Sequence, residues 1–118
     1  VALGREGVRA LLRPGGIVSY WLPAFQIGLP NAAVRVVSEP STTVFDRQSA
    51  EYKSSVLPPK MPRIAVEAGV TDGWWKYGCA AVVGLDRYGE SAPAGALFKH
   101  FNFTAENVAA VVRKALAG

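Results

Sequence analysis

A chain of 118 residues falls within the size of one domain, and with 50% hydrophobic and 19% charged residues it carries too much apolar surface for an intrinsically disordered chain. The formal charge of +4 is scattered over Arg5, Arg9, Arg13, Arg35, Lys53, Lys60, Lys76 and Lys99, so no basic stripe marks a nucleic-acid partner. The most apolar stretch, Ile17 to Leu29, is interrupted by Pro23, Gln26 and Gly28 and is too short to span a bilayer, while a lone cysteine, Cys79, excludes an internal disulfide and fits a reducing, cytoplasmic setting.

Val1, Val8, Leu11 and Leu12 recur at near-helical spacing until Pro14-Gly15-Gly16, which predicts a short helix over Ala2–Leu12, weakened by Gly4 and Gly7. A start at Val1, already inside that pattern, points to a piece cut from a longer chain. Residues 14–31 mix proline, glycine and isolated aromatics without a period and read as an atypical insertion or loop, in which Ile17–Leu22 is a candidate extra strand. Ala33–Ser38, Arg63–Ala68 and Cys79–Leu85 are β-branched apolar runs bounded by turn residues, and each predicts a strand. Between the first two, Thr43–Val56 reads as a surface helix, with Thr42 or Thr43 as its cap and Asp46 in its first turn, ended by Pro58, Pro59 and Pro62. A helix over Ala94–Phe101 follows the last strand.

The final helix is the clearest element. Thr104 can cap it, Phe103 can staple onto Val108, and Val108, Val111, Val112, Ala115 and Leu116 form one apolar stripe. Arg113 and Lys114 lie near its negative end. Strands alternating with helical segments predict an α/β fold with a mainly parallel sheet covered on both faces, a three-layer α/β/α arrangement in a single domain over residues 1–118.

Few residues offer chemistry. His100 is the only histidine, so neither a histidine-centred triad nor a multi-histidine metal site is available. Glu67 ends the second predicted strand and Glu90 follows the third, which places both near the carboxyl edge of the sheet; loop or helix capping accounts for them more simply than paired acid–base work. Gly69, Gly73, Gly78, Gly84 and Gly89 match neither the dinucleotide nor the phosphate-loop spacing. Ser91 and Ala92 precede a helix start and are candidates for holding a small anion, against simple capping with Pro93 in the first turn. Trp74, Trp75 and Tyr77 crowd one short segment and are candidates for an interface.

Val34 to Thr42 (Val-Arg-Val-Val-Ser-Glu-Pro-Ser-Thr), Phe45-Asp46, Tyr52, Ser55-Val56-Leu57-Pro58, Val66-Glu67-Ala68-Gly69, Trp75-Lys76-Tyr77, Gly89 to Ala94 (Gly-Glu-Ser-Ala-Pro-Ala) and Phe103-Thr104-x-x-Asn107-Val108 together resemble, in the same order, the carboxy-terminal domain of transketolases. The resemblance runs from Val34 to Leu116. It implies a homodimeric enzyme of the pentose phosphate pathway that moves two-carbon ketol units between sugar phosphates, using thiamine diphosphate and magnesium held by its other domains. No catalytic, cofactor-binding or metal-binding residue carries over to this chain, which implies a structural, dimer-supporting role and a fragment inactive alone.

The family's first strand or strands, which precede the position of Val1, are expected to be missing, and Val18 to Asn31 has no recognisable family counterpart, as an insertion or a local reading-frame error would produce. The missing strand leaves a sheet edge open, which Gly16–Leu22 is placed to cover. Two alternatives stand beside this reading. One is a regulatory or small-anion-binding module; the other is the equivalent domain of a related thiamine enzyme, such as the beta subunit of an oxo-acid dehydrogenase or the synthase making deoxyxylulose phosphate.

Overall fold

The β-branched and aromatic run Val18-Ser19-Tyr20-Trp21-Leu22 favours an extended chain. The computed structural model describes residues 11–12, 18–23 and 33–118, with side chains from Arg35 onward. Three strands, β1 (Leu11–Leu12), β2 (Val18–Pro23) and β3 (Ala33–Ser38), form an antiparallel sheet in the order β1-β2-β3. The β2–β3 ladder runs six residues deep, from Val18 opposite Ser38 to Pro23 opposite Ala33, and Leu11 and Leu12 pair with Ser19 and Val18. The expected helix over Ala2–Leu12 lies outside the described residues except at Leu11–Leu12, which are strand.

β3 was expected in a mainly parallel sheet, and its described partner is instead the antiparallel β2. The physical reason is connection length. Parallel strands need a crossover of about a dozen residues or more, whereas the link between Pro23 and Ala33 is shorter and suits an antiparallel return.

The single surface helix expected over Thr43–Val56 is two: α1 (Thr42–Asp46) and α2 (Ala50–Val56). Ser41, not Thr42 or Thr43, caps α1 through its hydroxyl, which accepts the Val44 N–H at 3.3 Å. Ser49 then caps α2 by accepting the Tyr52 N–H at 3.2 Å. A serine in extended conformation (φ −62°, ψ 157°) interrupts the helical run and restarts it, because an N-cap takes non-helical angles. Asp46 consequently ends α1 rather than opening the helix, and its carbonyl accepts the Lys53 ammonium at 3.2 Å. Arg35 ties β3 to α2 by donating to the Ser55 carbonyl at 2.8 Å. Phe45 and Val56, each 2% exposed, are the most buried side chains here. These elements belong to one compact unit, Val1–Met61.

Pro62–Gly118 make a second unit. Its β4 (Ile64–Val66) and β5 (Ala81–Val83) are parallel, with Ile64, Ala65 and Val66 opposite Ala81, Val82 and Val83. Flanking backbone bonds prolong the pairing: Ala80 N–H to Arg63 C=O at 2.8 Å, Glu67 N–H to Val83 C=O at 3.0 Å and Leu85 N–H to Gly69 C=O at 2.7 Å. The crossover holds a 3₁₀ helix, Asp72–Tyr77, closed by Gly78 in the left-handed region (φ 68°); glycine adopts that conformation without a Cβ penalty. A guanidinium bond from Arg63 to the Tyr77 carbonyl fastens the end of this turn to the start of β4.

After β5 come α3 (Ala94–His100) and α4 (Ala105–Ala117), and α4 packs on both β4 and β5. The α4 cap is the predicted one, with the Thr104 hydroxyl accepting the Asn107 N–H at 3.2 Å. Ala109 on α4 and Val83 on β5 are the buried residues of this unit. A parallel strand pair with a helix laid along it agrees with the α/β class read from the sequence.

Candidate functional site

In open α/β folds, ligands sit beyond the carboxyl ends of the strands, and in the second unit those ends lead into the segments 67–71 and 84–93. The two segments are fastened together. Asp86 accepts the Thr71 N–H on Oδ1 and the Thr71 hydroxyl on Oδ2, each at 2.8 Å. The backbone bond and then the hydroxyl bond hold the Asp86 carboxyl below its ordinary pKa, since both stabilise the charged form. Gly84 makes the close approach possible: a Cβ there would lie 2.6 Å from the Thr71 methyl and 2.9 Å from the Gly69 carbonyl oxygen.

Glu90 sits in the following loop. Its Oε1 accepts from Arg87 Nη2 at 3.0 Å and lies 3.3 Å from His100 Nε2. Arg87 also stands over the Phe101 ring at 5.5 Å, and His100 meets the same ring edge-on at 4.8 Å. The carboxylate side chain is 48% exposed and its partners 61% and 53%, so the Arg87–Glu90 ion pair contributes about 0–1 kcal/mol. Sequence reasoning placed Glu90 at this edge and His100 at the end of a helix without anticipating their meeting. Glu67 is exposed after β4, and the described contacts of Glu90 run to Arg87 and His100.

Beneath this cluster lies an apolar cleft of about 200 Å³, lined chiefly by Leu85, Leu97, Phe98, Phe101 and Phe103, with Glu90 at its edge. Phe98 and Phe103 meet edge-on at 6.4 Å. No single motif marks this cleft; its lining comes from separate turns of chain, and only the Leu-Phe-x-x-Phe-x-Phe spacing from Leu97 to Phe103 hints at it.

Ser91 and Ala92 are both exposed, and neither caps α3: its N-cap is Pro93, which stands before the first turn rather than in it, without a side-chain cap bond. Trp74, Trp75 and Tyr77 divide. Trp74 and Tyr77 are half-buried with rings 5.9 Å apart, the Lys76 ammonium lies 4.9 Å from the Tyr77 ring centre, and Trp75 is 50% exposed.

Among the described residues no three or more His, Cys, Asp or Glu side chains come together as a metal site. No described helix is long and apolar enough to cross a membrane.

Residues 11–104 match the family described as the transketolase-like C-terminal domain. The chain belongs to that family. It is 47% identical over 111 residues to Transketolase 1 of Vibrio cholerae, covering 91% of this chain and 17% of that protein. Transketolase 2 of Escherichia coli is 57% identical over 86 residues, covering 70% and 13%. Among solved structures, transketolase from Leishmania mexicana matches with a TM-score of 0.71 and 42% identity over 78% of this chain and 13% of that one. The chain thus spans about a sixth or less of the transketolases it matches.

Proposed function

We propose that this chain is the carboxy-terminal structural domain of a cytoplasmic, homodimeric transketolase, an enzyme that transfers two-carbon ketol units between sugar phosphates with thiamine diphosphate and magnesium. The observation that carries the proposal is a family match over residues 11–104 in a chain spanning 17% or less of its transketolase relatives. Cofactor, metal and sugar phosphate belong to the other domains, and this domain helps hold the subunit and its pairing geometry. Residues 1–118 belong to one domain of the three-layer α/β/α kind, with 14–31 an atypical insertion or loop, and Trp74, Trp75 and Tyr77 form an interface; the half-exposed Trp75 supports that last assignment.

Calorimetric titration with thiamine diphosphate and magnesium, together with a ketol-transfer assay, tests the proposal on the chain alone. Neither binding nor turnover is expected. Saturable cofactor binding by the 118 residues would overturn the structural role. The alternative, a small-anion site at Ser91 and Ala92, has their exposure in its favour but stands before a helix of only 7 residues. A phosphate titration followed at those two amides removes it if their signals do not move.

A further inference from the structure

We draw no further inference here: the strongest candidate, the apolar cleft beyond the carboxyl ends of β4 and β5 with Phe98, Phe101 and Phe103 on its walls and Glu90 at its rim, carries nothing because nothing in the structure shows what covers it.

Discussion

At Gly84 a single missing carbon decides how close two segments come. An alanine there would press into the Thr71 methyl and the Gly69 carbonyl, and the backbone oxygen cannot swing aside as a flexible side chain would. Gly84→Ala is expected to lower stability by about 1–3 kcal/mol, the usual cost of overpacking, read as a reduced denaturant midpoint. Asp86 gives a second test. Its folded pKa is depressed, so its contribution is present in full above the ordinary carboxylate range and is lost as pH falls through the folded value. Once corrected for the slower intrinsic exchange in acid, the protection of the Thr71 amide should therefore fall on acidification. Asp86→Asn should flatten that acid response, and a variant that kept it would show that another group is responsible.

Helix ends are set by single residues, and two of them are open to measurement. Asn102 holds φ 61° between α3 and α4, and its carbonyl accepts the Asn107 side-chain amide at 2.9 Å. Asparagine tolerates the left-handed region, glycine prefers it and a β-branched residue resists it. Asn102→Gly should be neutral or stabilising, whereas Asn102→Val should cost about 1–2 kcal/mol in thermal or denaturant unfolding. Thr104→Ala should remove the α4 cap and cost about 1 kcal/mol, with Thr104→Ser restoring most of it. If the alanine variant unfolds with the parent, the cap bond contributes nothing.

How legible these elements were depended on what fixes them. α4 was readable because cap, stripe and dipole agree locally. The core of each predicted strand followed from short apolar runs bounded by turns. The break between α1 and α2 was not readable, because Ser49 reads equally as a helix-surface residue and only its extended angles make it a cap. The Asp86–Thr71 bonds escaped notice for a different reason: they join positions 15 apart, and no local pattern announces such a pairing. Glu90 and His100 were each placed correctly, yet their contact depends on how the 84–93 segment folds back toward α3.

At the scale of the chain, the longest described strand pairing is the six-residue β2–β3 ladder. Deuterium exchange of the full chain should find protected amides within Val18–Leu22; exchange there at unfolded rates would contradict the ladder. Trp75 tests the place of the chain in a larger enzyme. Because it is half-exposed, Trp75→Ala should change the stability of the chain by no more than about 0.5 kcal/mol. In the complete enzyme the same change should weaken assembly, measured as a raised dissociation concentration in sedimentation. Unaltered assembly would remove Trp75 from any interface between subunits.

The Phe101 ring carries a guanidinium over its face, 5.5 Å from its centre, and an imidazole inclined at 69° to it. Circulating π electrons shield nuclei above a ring and deshield those in its plane, so the Arg87 side-chain protons act as a built-in goniometer. Their chemical shifts, recorded without any added label, would register a tilt of α3 against the neighbouring loop.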